Sequence, residues 1–250
     1  MIAELAELAP EGFEQVDGDH FVEFALYGAP GELPELARGR AELGGVTVEV
    51  TGTEIGDDWP DRWREFHNPV QVGRIHVRAP WHDPPAEGID IVIDPGQAFG
   101  TGAHATTQMC LELLQDLPAG GPLADLGCGS GVLAIAAAKL GFAPVRAFDN
   151  ERAAIEATLA NASANRVTLD RVERRDLRTE PAPVTDVTMA NLVRPLLLEV
   201  AALMPQQPET LIVSGLLGGE EDEAAAAFAP LRERRRLRLQ EWSALLLTRP

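Results

Sequence analysis

The chain has 250 residues, of which 45% are hydrophobic and 24% charged. This is ordinary globular composition, and it excludes a disordered chain, a collagen-like chain and a disulfide scaffold. The formal net charge of −18 disfavours non-specific binding to nucleic-acid phosphates and favours a basic partner. In chain order, Ile2–Leu8 reads as a helix, His20–Tyr27 as a strand, Leu33–Leu43 as a helix and the alternating Val46–Val50 as a strand. That order suggests a small α+β domain over residues 1–55. Residues 1–66 hold sixteen Asp/Glu against four Arg, a net of −12 that leaves −6 for the rest and marks a boundary near residue 60. Residues 56–68 read as a linker helix. Asp58 can cap it, Pro60 sits in its first turn, and Trp59, Trp63 and Phe66 share one packing face. Two short apolar segments follow, at 70–79 and 89–93.

From residue 106 helices and strands alternate. Helices are expected at 106–117, 130–140, 151–164, 194–203 and 219–229. Strands are expected at 122–126, 144–149, 171–174, 186–190, 210–214, 234–240 and 242–248. The alternation predicts an α/β architecture over residues 69–250: a mostly parallel, doubly wound, Rossmann-like sheet with helices on both faces. Cys110 and Cys128 do not have metal spacing, and no metal site is expected. With no basic-then-apolar leader, these thiols suggest a reducing, cytoplasmic location. The longest apolar run, Val132–Ala138, is too short to cross a bilayer.

The sharpest local signal is Asp125-Leu126-Gly127-Cys128-Gly129-Ser130-Gly131, a buried strand running into a glycine-rich turn that opens a helix. Glycines allow positive φ and close approach of a ligand, and the helix start is expected to offer free N–H groups. The spacing is Gly-x-Gly-x-Gly rather than the dinucleotide Gly-x-Gly-x-x-Gly, and Asp125 would repel a pyrophosphate. A carboxylate there suits an ammonium group instead. Asp149 ends the next strand, where it can accept both ribose hydroxyls, and Asp176 follows a third strand, where it can meet an adenine amino group. A ligand with a ribose, an adenine and a cationic amino-acid tail is S-adenosylmethionine.

Two further segments carry polar groups. In Asp94-Pro95-Gly96-Gln97-Ala98-Phe99-Gly100-Thr101-Gly102-Ala103-His104-Ala105-Thr106-Thr107, either Thr106 or Thr107 can cap the following helix and present a hydroxyl to a ligand. His104 is a candidate base or simply a hydrogen-bonded loop histidine. In Asp186–Pro195 a strand ends at Asn191, either on the ligand-binding rim of the sheet or as the cap of the helix opened by Pro195.

These segments together resemble the PrmA family of ribosomal protein methyltransferases. Residues 94–107 match every fixed position of the family run Asp-Pro-Gly-x-Ala-Phe-Gly-Thr-Gly-x-His-x-Thr-Thr. Residues 125–137, Ala190-Asn191-Leu192 and Ser214-Gly215-Leu216-Leu217 are similar to further family signatures, and the likeness extends over about residues 57–250. At its start the chain departs from the family pattern: the family usually has an extra strand before its first helix, and here Met1 already lies at or near that helix, so either the domain lacks one strand or the true start lies upstream. The resemblance implies a seven-stranded methyltransferase sheet with one antiparallel edge, with S-adenosylmethionine as methyl donor. The implied acceptor is a basic protein, large-subunit ribosomal protein eleven, recognised by the small N-terminal domain. Phe99, Thr107, Gly127, Asp149 and Asn191 would contact the cofactor. To these the reading from residues adds Asp125, Gly129 and Asp176. Asn191 and Leu192 would orient the acceptor amine, with no obligatory general base. A soluble monomer with no nucleic-acid or membrane contact is expected. The alternatives are a methyltransferase for another protein lysine or a small amine, a cofactor-binding module without catalysis, and a dinucleotide oxidoreductase.

Overall fold

The computed structural model describes residues 14–17, 22–25, 39–43, 46–51, 68–94 and 102–250. The chain divides into two compact units, Met1–Arg62 and Trp63–Pro250. In the first unit β1 (Glu14–Asp17) pairs antiparallel with β2 (Val22–Ala25), and β3 (Gly39–Leu43) with β4 (Val46–Val50). Strand β4 coincides with the expected Val46–Val50, and β2 lies inside the expected His20–Tyr27. The helix expected over Leu33–Leu43 is overturned in its second half, which is β3. Gly39 has a φ of 116°, outside the helical region. Leu43 then pairs with Val46 across the two-residue Gly44-Gly45 connection, a hairpin signal that outweighs the leucine spacing. The helix at 2–8, the first half of 33–43 and nearly all of the linker helix, with Trp59, Trp63 and Phe66, lie outside the described residues.

The second unit opens with β5 (Val70–Val72), β6 (Ile75–Arg78) and β7 (Ile89–Val92), a three-stranded sheet in that order. The apolar stretch 70–79 is therefore two strands, split at Gly73, whose φ of 57° makes the tight turn. The repeating part follows: α1 (Ala105–Gln115), β8 (Leu123–Leu126), α2 (Val132–Leu140), β9 (Val145–Asp149), α3 (Arg152–Ala164) and β10 (Arg171–Arg174). It continues with β11 (Val187–Asn191), α4 (Arg194–Leu203), β12 (Thr210–Leu217), α5 (Glu221–Ala227), β13 (Arg232–Leu239) and β14 (Trp242–Thr248). The sheet has seven strands in the order β10-β9-β8-β11-β12-β14-β13. The first five run parallel, and the reversed strand is β14, one place in from the edge.

Side chains alternate between the two faces of this sheet. Leu123, Met189, Ile212 and Leu246 join one buried cluster with Leu111, Ile135 and the small sheet's Ile75 and Ile91. Ala124, Leu126, Ala190, Val213 and Leu245 join another with Leu197, Val200 and Phe228. Each fully buried Leu or Ile contributes roughly 1.5–3 kcal/mol relative to exposure. With both faces covered, the ligand-accessible part of the sheet is its rim. The small sheet is tied to the main body by polar side chains. Asn165 accepts from Val92 N and donates to Val92 O at 2.9 and 2.6 Å. Lys139 of α2 donates to Asp90 O, and within the small sheet Arg78 makes a bidentate pair with Asp90 at 2.7 and 2.8 Å.

Candidate functional site

The order of the strands places the site. The chain runs outward from β8 through β9 to β10, then returns to lay β11 on the other side of β8. The crevice outside the carboxyl ends of β8 and β11 is the topological switch point, where open α/β sheets bind ligands. A cleft of about 870 Å³, including its open mouth, lies there. Its walls carry Gly127, Gly129, Asp149, Asp176, Asn191, Leu192 and Thr107 together. Val132, Leu133, Ala154, Leu177 and Leu196 supply the apolar surface.

The glycine turn is left-handed at three positions, with φ of 75° at Gly127, 53° at Gly129 and 82° at Gly131. Four of its N–H groups are engaged within the protein, so the glycines themselves offer fewer free donors than expected. Gly127 and Cys128 donate to Phe148 O at 2.8 and 3.0 Å, Gly131 donates to Cys128 O at 2.8 Å, and Gly129 donates to Asp149 Oδ2 at 2.9 Å. Ala134 N donates to Asp125 Oδ2 at 3.1 Å, satisfying one of the helix-start amides of α2. Carboxylates thus hold donors that a pyrophosphate would need. The glycines provide shape and leave the donors inside.

Asp125 does not reach the cleft. Strand alternation turns it to the α1–α2 face, where it is fully buried and its Oδ1 has no hydrogen-bond partner. Burial pushes its carboxyl up to about 7, the Ala134 amide opposes this, and the Asp149 charge adds to it. The structure therefore makes Asp125 a brace for α2 rather than a wall of the cleft. Asp149 ends β9 and lines the cleft while accepting from Gly129 N and, at 3.0 Å, from Glu151 N. Asp176 lines the same cleft beyond β10, and its Oδ1 accepts from Arg178 N at 3.0 Å.

Asn191 is the last residue of β11. Its Nδ2 donates to Thr107 Oγ1 at 3.4 Å, joining β11 to the first turn of α1. It is not a helix cap: α4 begins at Arg194, and its N-cap is Val193, which is extended and makes no side-chain capping bond. Leu192 is held between two glycines. A Cβ on Gly127 would lie 2.3 Å from Leu192 Cδ2, and one on Gly215 would lie 2.3 Å from Leu192 O.

The cap of α1 is His104, which corrects the assignment to Thr106 or Thr107. Both threonines lie inside the helix, and His104 Nδ1 accepts from Thr106 N. The His104 ring packs edge-on against Trp242 at 5.0 Å and does not line the cleft. Phe99 lies outside the described residues. Sequence reasoning missed Thr158 and Asn161. Thr158 Oγ1 donates to Gly129 O at 3.0 Å, and Asn161 bridges Asp94 N and Ser130 O at 3.0 and 2.9 Å. Their signal was a polar stripe with Asn165 at helical spacing on α3, all three buried. Arg175 was also missed; it lies over the Phe148 ring, 5.9 Å from its centroid, on the cleft wall.

A glycine turn with engaged amides, carboxylates beyond the ends of two successive strands and apolar walls between them fit a nucleoside with a free diol better than a dinucleotide. On this fold, that site defines a Rossmann-like, S-adenosylmethionine-dependent methyltransferase. The chain belongs to the Ribosomal protein L11 methyltransferase (PrmA) family, whose model matches residues 32–250. It is 30% identical over 222 residues to the Ribosomal protein L11 methyltransferase of Thermoanaerobacter pseudethanolicus, covering 86% of this chain and 72% of the relative. It is 38% identical over 215 residues to that of Pelobacter propionicus, covering 80% and 69%. Among solved structures, a ribosomal protein L11 methylase from Lactobacillus delbrueckii subsp. bulgaricus superposes with a TM-score of 0.66 at 26% identity, covering 73% of this chain and 99% of that one.

Proposed function

We propose that this enzyme methylates amines of ribosomal protein L11: lysine ε-amines, the N-terminal amine, or both. The relatives' names supply the substrate, and the placement of Asn191 on the cleft supports the chemistry. When bound, S-adenosylmethionine supplies an electrophilic sulfonium methyl whose departure leaves a neutral thioether, so no acid is needed at the leaving group. Asp149 would hold the cofactor by accepting from the ribose hydroxyls, and Asp176 by accepting from the adenine amino group. The Gly127–Gly129 turn and Thr107 shape the remainder of the cofactor site.

Asn191 and Leu192 act on the acceptor. With Asn191 Nδ2 engaged by Thr107, its Oδ1 and the backbone carbonyls at Asn191 and Leu192 accept amine hydrogens and aim the nitrogen lone pair. This is catalysis by orientation and exclusion of water. A lysine amine starts near pKa ~10.4 and loses its proton to solvent before attack. His104 is given no part in this, because its ring packs on Trp242 and does not line the cleft.

The small domain over residues 1–55, with twelve Asp/Glu against two Arg, docks the basic substrate by charge complementarity. The enzyme acts in the cytoplasm, in keeping with its two free, buried cysteines. Mass spectrometry of unmethylated ribosomal protein L11 after incubation with enzyme and cofactor tests the reading. Methyl increments on amines are expected, and an unchanged mass would overturn it.

A further inference from the structure

Two large apolar side chains stand exposed on the rim next to Asn191. Val193 is 59% exposed and Leu217 is 45% exposed. They come from different elements, the start of α4 and the end of β12, and one carboxylate joins their surroundings. Glu220 accepts from Leu217 N at 2.8 Å and from Arg194 Nε at 3.0 Å. The strands are also locked at this point, because Leu192 N donates to Ser214 O at 3.0 Å and Gly215 packs on the Leu192 backbone. Val193, one residue beyond Leu192, and Leu217 therefore flank the Arg194–Glu220 ion pair from two different elements of the rim.

The chemistry at Val193 is unusual for its position. It is the N-cap of α4, where Ser, Thr, Asp or Asn would satisfy a helix amide and stabilise the protein. Valine gives up that bond and also puts an apolar surface in water. A residue that is unfavourable in both respects, beside the acceptor group, is accounted for by contact with a substrate. The carboxylates at the patch set the partner's charge. Arg194 spans Glu220 and Glu223, one cation against two anions, and Glu223 is itself 57% exposed.

We infer that Val193 and Leu217 form a specificity surface that grips an apolar side chain next to the acceptor amine, in a basic segment of the protein substrate. This rests on the reading that the acceptor is a protein amine. It adds the residues that choose which amine, by the apolar neighbour that follows it into the cleft. Val193 and Leu217 do not line the cofactor cleft, so their contribution is separable from donor binding.

The test uses the full chain with Val193→Ser and Leu217→Gln. The acceptor is a mixture of ribosomal proteins freed of RNA, and labelled methyl incorporation is read for each separated protein. On whichever protein the wild type labels, kcat/KM is expected to fall about five- to tenfold in each variant, chiefly through KM. Donor affinity by calorimetry should stay at the wild-type value. The melting temperature of Val193→Ser should hold or rise, since serine improves the cap. Val193→Leu should retain most of the wild-type kcat/KM. Unchanged kcat/KM in both polar variants overturns the inference, as does a parallel loss of donor affinity. If the wild type labels a protein other than L11, the substrate reading fails while the surface is still tested on that protein. If it labels no protein, both fail.

Discussion

Leu192 is seated between two glycines from different strand ends. Its side chain lies over Gly127, and its carbonyl stands where a Gly215 methyl group would come within 2.3 Å. Gly215 has a φ of 87° and sits at the bulge where β12 shifts register against β14. This explains why a strand interior carries glycine: the chain must bring two backbones together beside the acceptor group. Gly215→Ala is expected to cost ~1–2 kcal/mol through the left-handed conformation alone. The clash with Leu192 backbone adds to this, because backbone cannot turn aside as a side chain can. The melting temperature should drop by roughly 5 °C or more. Methyl transfer should fall further than the residual folded fraction explains. An alanine variant with wild-type turnover would show that the Leu192 turn tolerates displacement.

Asp149 does two jobs in one carboxylate. It holds Gly129 N and Glu151 N, and it borders the cleft. Removing it leaves ligand hydroxyls and two turn amides without their acceptor. Asp149→Ala should weaken S-adenosylmethionine binding by ~1–3 kcal/mol, about five- to 150-fold. Calorimetry on the purified variant measures this directly. Affinity equal to the wild type would take Asp149 out of the cofactor site and leave it a turn-bracing residue.

Asn191 separates from Asp149 in the quantity it should move. In the proposed role its contacts to the acceptor amine would become fully aligned only as the methyl transfers, and so would act on turnover. Asn191→Ala should fold normally, keep donor affinity within a factor of a few, and lose most of its kcat. The helix-cap explanation is already removed by Val193, which occupies the cap of α4. Turnover near that of the wild type would leave Asn191 with only its Thr107 hydrogen bond.

The site was legible where chemistry requires particular residue types at strand ends. Gly127, Asp149, Asp176 and Asn191 were placed by the alternation of strand and helix, and the structure brings them to one cleft. Asp125 was misplaced for a definite reason. Proximity to the glycine turn suggested the cleft, but strand alternation sends its side chain to the α2 side, two positions from the buried Leu123. Reading the strand period through the motif would have corrected this. Capping by Thr106 or Thr107 was a statistical expectation. It failed because Nδ1 of His104 accepts the same amide while its ring gains a contact with Trp242, 138 positions away, which no local pattern carries. The second half of the helix expected at Leu33–Leu43 failed by weighting leucine spacing above Gly39 and the Gly-Gly pair that follows.

The burial of Asp125 has a pH consequence. Its carboxyl is raised to about 7 in the folded protein, chiefly by burial, against about 3.9 in an unfolded chain. Between these values the folded state binds more protons than the unfolded state. The stability contribution is therefore full below about pH 4 and is lost as pH rises toward 7. Asp125→Asn keeps an oxygen for Ala134 N and removes the charge. Relative to the wild type, its urea midpoint should improve between pH 5 and pH 8. An offset that is the same at both pH values would mean that Asp125 pairs its charge in solution.

The acidic excess of residues 1–66 makes the last prediction. Among the described residues, those that line the cleft all fall between Thr107 and Leu196. A chain beginning at Trp63, the first residue of the second compact unit, should bind S-adenosylmethionine with the affinity of the full chain. It should methylate ribosomal protein L11 poorly, because the segment that attracts a basic substrate is gone. In the full chain, kcat/KM for the protein should fall as salt rises. Attraction between exposed charges is screened over about 10 Å at 0.1 M ionic strength. Donor affinity should change far less over the same range, since the cleft's carboxylates act at contact distance. The comparison is made at low salt, where the contrast between the two chains is greatest. Equal methylation by both would remove the acidic segment from substrate recognition and leave the choice of amine to the rim around Asn191.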